Sequence, residues 1–149
     1  MPINEIRASG LEAQRLATEL LQRARRADPL AGLWEAADIQ WWWRSPRPSD
    51  EFERLFWLDD QGPVAGVLLT SWRSAPWPCD PIVVPGAYSV DLDAVWARAM
   101  EHAARYAPDG FNVPVGDDDS AITALARRSG LTPAIGTVPA GWMPPTVLA

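Results

Sequence analysis

The sequence predicts an α/β chain of the α+β type, with a mixed, mostly antiparallel central sheet flanked by helices. Three observations carry that prediction. A hairpin pattern precedes any alternation of strand and helix, so the sheet starts antiparallel. From residue 82 onward, strands alternate with helical stretches, which brings in crossover connections. The helical stretches each gather their apolar residues on one face, as helices lying on a sheet do.

The elements follow in order. Residues 3–8 form a short edge-strand candidate. Ser9 and Glu12 fit a capping box opening a helix through about Ala27, with Leu16, Leu20 and Ala24 stacked at i, i+4 and i+8. Asp28-Pro29 reads as an N-cap followed by proline at the first helical position, starting a second helix to about Trp42. Ser45 to Asp50, with two prolines, is a loop. Arg54–Leu58 and Val64–Trp72, joined by Asp59-Asp60-Gln61-Gly62, read as a β-hairpin, in which Gly66 marks a bulge or a close backbone approach. Residues 74–81 hold three prolines, so any strand there is broken or at an edge, and Ile82-Val83-Val84 is a short strand.

A long helix is predicted from about Asp91 to Ala107, with Leu92, Val95, Trp96, Ala99, Ala103 and Tyr106 on one face. Phe111–Val115 is the next strand. Asp117, Asp118 and Asp119 load the start of a further helix, Arg127 and Arg128 its end, and Gly130 is the expected residue just past it. Leu131–Val138 gives a last strand, with a bend and another short strand to Met143. Residues 1–143 are read as a single domain and 144–149 as a tail or linker.

Composition excludes several function classes. A net charge of −6 argues against nucleic-acid binding. No apolar run is long enough to span a membrane, and the first ten residues lack the apolar core of a leader, so a cytoplasmic location is expected. Cys79 and His102 are the sole cysteine and histidine, which rules out an intrachain disulfide, a thiolate metal cluster and a multi-histidine site. The expected roles are a packed thiol and a helix-surface imidazole, and no metal is expected. All 13 basic residues are arginine, which, with abundant alanine and proline, reads as a GC-rich, bacterial coding bias. Nine tryptophans leave room for an aromatic pocket or an interface beyond the core.

The element order resembles the GNAT N-acetyltransferase superfamily over nearly the whole chain. Phe56 to Val67 looks like that family's central hairpin, Ile82-Val83-Val84-Pro85 like the strand that receives the acyl-CoA pantetheine arm, and Asp119 to Leu131 like its late helix. The resemblance implies N-acyl transfer from acetyl-CoA or another acyl-CoA to a small-molecule amine, with a carboxylate taking the amine proton. It implies that Val83, Val84, Pro85, Tyr88, Ser89 and Val90 lie along the cofactor. It also implies pairing as a homodimer or with a partner GNAT module.

The phosphate-binding turn departs from the family pattern of Arg or Gln, two residues, Gly, one residue, Gly or Ala. Tyr88 takes the basic position, Ser89 and Val90 the two residues after it, Asp91 the turn glycine, and Asp93 the final small residue. Carboxylates repel a pyrophosphate and offset the helix dipole, whereas an aspartate N-cap explains the same residues with no ligand. The tyrosine that protonates the leaving thiolate is replaced by Ala126. Asp80, just before the receiving strand, is the candidate base, and a turn-forming aspartate before proline is the bland alternative.

Trp41, Trp42 and Trp43 cannot all point one way on a helix, because successive positions differ by ~100°. With Trp72 they are candidates for an acceptor pocket or, equally, for a protein interface. Two functions stay open: an acyltransferase with an altered loop, and a non-catalytic GNAT-derived binding or interaction domain.

Overall fold

The computed structural model describes residues 4–116, 119–133 and 141–143, the last three as backbone only. Among the described residues the order is β1 (Asn4–Ala8), α1 (Gly10–Ala27), α2 (Ala36–Trp43), a 3-10 turn (Pro48–Glu51), β2 (Arg54–Asp59), β3 (Gly62–Leu69), β4 (Trp77–Val83), α3 (Leu92–Tyr106), β5 (Phe111–Pro114), α4 (Ser120–Arg128), β6 (Thr132–Pro133) and β7 (Gly141–Met143). One sheet takes them in the order β1-β2-β3-β4-β5-β7-β6. Every described pairing is antiparallel except β4 with β5. The fold class is as predicted.

β3 lies in the middle and is buried on both faces, which is why Val64–Leu69 reads as an unbroken apolar run rather than an alternation. Its even residues Val64 and Leu68 pack with Leu16, Leu20 and Ile39 of α1 and α2. Its odd residues Ala65, Val67 and Leu69 pack with Val95, Ala99 and Ile122 of α3 and α4. Two helical layers therefore cover opposite faces of the sheet. Gly66 lets α1 sit close: a Cβ there would lie 2.9 Å from Leu20 Cδ2 and 3.1 Å from Phe56 Cδ1. The close-approach reading of Gly66 holds, and the bulge falls instead between Trp57 and Leu58. Arg23 clamps α1 to the hairpin turn through a paired contact with Asp59 at 2.6 and 2.9 Å.

Four expectations need correcting. Ser9 is the N-cap of α1 but makes no side-chain cap, and Glu12 pairs with Arg15 instead. The second helix does not start at Pro29. Asp28 Oδ1 accepts from Leu30 N in a tight turn, Gly32 takes φ +82°, and helix resumes only at Ala36, where Asp38 Oδ2 accepts from Glu35 N. The proline-rich stretch is no edge: β4 runs from Trp77 between β3 and β5. His102 is no surface group but only 5% exposed.

The tryptophan run resolves by burial. Trp43 is in the core, donating through Nε1 to Thr70 Oγ1 at 3.1 Å, and the buried Arg54 lies over its ring at 3.9 Å. Trp41 is 62% exposed, with Arg44 over its ring. The C-terminus of α4 closes as expected, with Gly130 at φ +79° and Leu131 N donating to Ala126 O. Asp117 and Asp118, most of the predicted Leu131–Val138 strand and the 144–149 tail lie outside the described residues.

Candidate functional site

The backbone pattern of β4 creates the site. Val84 N donates to Val64 O and Thr70 N to Pro78 O, so residues 78, 80, 82 and 84 turn their main-chain groups toward β3. Residues 77, 79, 81 and 83 then face β5. Trp77 N donates to Gly110 O, and the described β4–β5 ladder ends at Pro78 and Asn112. Beyond it the strands part. Pro81 faces the gap without an N–H to offer, so its ring is tolerated in a central strand because no ladder bond is due there.

A cavity of about 430 Å³ fills this parting. Leu21, Ala24 and Arg25 of α1 and Leu33 and Trp34 of the following connection line it on one face of the sheet. Leu92, Val113 and Ile122 line it toward the other, and Asp80, Pro81, Ile82, Val83 and Pro85 form the β4 wall. Its volume is that of an ordinary small-molecule pocket, and its surface is mostly apolar.

Asp80 is the polar group that stands out. Its position puts the side chain on the α1 face, where it is 7% exposed and its Oδ1 accepts from Trp34 Nε1 at 2.8 Å. Burial pushes its pKa up to about 7, against the indole hydrogen bond, which favours the charged form. An acid that titrates near neutrality in an apolar cleft can hold an ammonium group or take a proton from one.

Trp34 was not among the expected pocket residues. It falls inside the stretch predicted as a helix from Pro29 to about Trp42, and the break at Gly32 aims it at the cleft. Two contacts hold it there. Its ring meets Trp42 edge-on at 4.7 Å, and Arg25 ties the connection down through Pro29 O at 2.6 Å and Glu35 at 2.7 Å. Proline before leucine masked this turn, and the visible sign was Gly32 followed by the Glu35…Asp38 cap.

The other nominated residues are dispersed. Val83 and Pro85 line the cavity, whereas Val84 is packed on the α1 face at 6% exposure. Tyr88 is 98% exposed, Ser89 is exposed and Val90 packs against the core; none of the three lines the cavity. Trp41, Trp42, Trp43 and Trp72 do not line it either, and Trp72 sits half exposed under Arg47. Cys79 is fully buried on the α3 side, its Sγ 3.9 Å from Ala99 O, and burial pushes its thiol pKa far up.

At the mouth, the chain turns at Gly86 (φ +78°) and enters α3 through Asp91. The Asp91 side chain accepts from Asp93 N at 3.1 Å, so the helix caps itself. Asp93 makes a long, exposed contact of 3.5 Å with Arg128. Among the described residues, no group of three or more His, Cys, Asp or Glu is placed to hold a metal ion, and no helix is long and apolar enough to cross a membrane.

No family model matches the sequence, and no curated protein matches it. Solved structures do match the fold. A tandem GNAT protein from the clavulanic acid biosynthesis pathway is similar at 18% identity and a TM-score of 0.59, over 89% of this chain and 44% of that one. PH1933 from Pyrococcus horikoshii OT3 is similar at 13% identity and TM-score 0.65, over 95% and 96% of the two chains. The putative acetyltransferase yncA from Salmonella typhimurium, solved with acetyl-CoA, is similar at 14% identity and TM-score 0.61, over 96% and 92%. This chain thus spans less than half of the tandem protein and nearly the whole of the other two. The strand order, the parting of β4 from β5 and these likenesses together show that the chain has the fold of the GNAT N-acetyltransferases.

Proposed function

We propose that this GNAT-fold domain keeps the amine-accepting side of an N-acyltransferase cleft and has given up the coenzyme side, so that it works as a binding domain for a small amine with an apolar body. The observation that carries the reading is the self-capped start of α3. The Asp93 N–H, one of the amides a pyrophosphate would need, is already taken by the Asp91 carboxylate.

Two further features support it. A phosphate ~4 Å from either carboxylate meets a repulsion of about 1 kcal/mol per charge pair in water, and about 4 kcal/mol at the effective dielectric near a protein surface. Pro81, on the gap side of β4, has no N–H for a pantetheine amide. These residues do not suit the 3′,5′-diphosphate-bearing coenzyme, and no step through it follows from them.

On the amine side, Asp80 would pair with an ammonium group while the apolar walls receive the rest of the ligand. A second reading, an active N-acyltransferase with Asp80 as general base, is favoured by that carboxyl's pKa of about 7. The likeness to one half of a tandem GNAT protein fits the first reading, in which such a unit works beside another.

The test is a titration with 2-phenylethylamine followed by tryptophan fluorescence. A saturable change, lost in both Asp80→Asn and Trp34→Phe, is expected. A flat response, or one that survives Asp80→Asn, overturns the reading.

A further inference from the structure

A second site lies away from the cleft, where α3 crosses the β1–β2 edge. Arg98, Glu101, His102 and Arg105 fall at i, i+3, i+4 and i+7 and so share one stripe of α3. Below them, Arg7 of β1 stands opposite Leu55 of β2. These residues line a part-open chamber of about 40 Å³, which also meets Glu53 and Tyr106. A single water needs ~10–15 Å³ on this measure, so the chamber holds a few water-sized groups.

His102 forms a base to it. The residue is only 5% exposed, and its Nε2 is buried with no hydrogen-bond partner among the described residues. A buried, unsatisfied ring nitrogen costs ~1–3 kcal/mol, so one left unpaired on a residue that lines a chamber calls for a partner.

Charge says which kind. Burial first, and then the guanidiniums of Arg98, Arg54, Arg7 and Arg105, hold the His102 pKa down to about 4, so the ring is neutral and the local potential is positive. Two of the nearby carboxylates are held by one arginine of the stripe. Glu5 and Glu101 bind Arg98 at 2.6 and 2.8 Å. Glu53 only grazes Arg7 at 3.9 Å, with both side chains about half exposed. Arg105 makes no ion pair among the described residues and lies 5.2 Å from the Tyr106 ring centroid. Arg54, buried behind, donates to Ser49 Oγ and makes no ion pair among the described residues, although the Asp50 carboxylate partly offsets its burial.

We propose that this chamber binds a small oxyanion of the size and charge of inorganic phosphate, with Arg7 and Arg105 as its charged donors and the His102 Nε2–H at its base. Arginine forks match such oxygens in pairs, and a neutral imidazole still has one N–H to give.

The sole histidine makes the test clean, since its ring gives one set of resonances. Inorganic phosphate is titrated at fixed ionic strength against a chloride control, with the His102 ring nitrogens followed by NMR. Expected is a saturable shift at ~1 mM or tighter, absent with chloride, and a rise of the His102 pKa with bound phosphate by linkage. Arg105→Gln, an exposed position whose folding is checked by circular dichroism, should weaken binding about tenfold or more, the loss of one charge-assisted hydrogen bond. Arg7→Gln should act likewise. A shift that chloride reproduces, no shift at all, or undiminished binding in both variants overturns the proposal and leaves the chamber to water.

Discussion

Replacing Asp80 by asparagine probes the cleft most deeply, because burial there links protonation to stability. In the unfolded chain the carboxyl titrates at 3.8, and in the fold at about 7. Between those values the unfolded state releases its proton first, so stability falls as pH rises through this window and levels off above it. At 1.36 kcal/mol per unit, the burial of the charge costs about 4 kcal/mol near pH 8. Asparagine keeps an acceptor for Trp34 Nε1 but brings an amide N–H₂ into an apolar wall, at a cost of ~1–3 kcal/mol. Asp80→Asn should therefore be more stable than the parent by roughly 1–3 kcal/mol near pH 8 and less stable near pH 4.

The assay is urea unfolding of both proteins across that range, read as a difference. The difference matters because His102 slopes the other way. Its folded pKa of about 4 lies below 6.5, so its contribution is full above 6.5 and is lost as pH falls toward 4. Only the subtraction isolates Asp80. A difference curve that stays flat with pH would mean that Asp80 is an ordinary hydrated carboxylate, and the reasoning about the cleft would fail.

Three further outcomes are expected. Gly66→Ala should destabilise the fold by ~1–3 kcal/mol in urea unfolding, because the new methyl meets Leu20 and Phe56 where α1 lies on β3. Cys79, fully buried and with its thiol pKa pushed up, should resist a thiol reagent in the native protein and react at once in denaturant. Trp34→Phe removes the hydrogen bond that favours the charged Asp80, so the carboxyl should titrate higher still, seen as a shift of its stability window to higher pH.

Much of the fold was legible because local signals agreed. The hairpin turn at Asp60-Gln61, the apolar run of β3, the Asp91 start of α3 and the Gly130 end of α4 each rest on turn or cap chemistry that sequence displays directly. β4 was harder to read. Pro78 and Pro81 argue against a central strand; Pro81 fits because β4 parts from β5, and Pro78 because β3 ends at Leu69 beside it, tertiary facts without a local mark. The candidate site was half legible. Asp80 could be named from its place before the strand, but its burial depends on α1 and on the turn that follows it. Trp34 was hidden because Asp28-Pro29 mimics a helix start, while the conspicuous triple tryptophan drew attention to side chains that pack or stack elsewhere. His102 was misread for the opposite reason, since a stripe of arginine and glutamate around it looks solvated.

The most direct measurement is calorimetric titration of acetyl-CoA into the parent chain and into Asp91→Gly/Asp93→Ala. With the α3 start capped by its own carboxylate, the parent should bind more weakly than ~1 mM, and the double variant more tightly than the parent. Micromolar affinity in the parent would contradict this and restore the coenzyme side of the cleft.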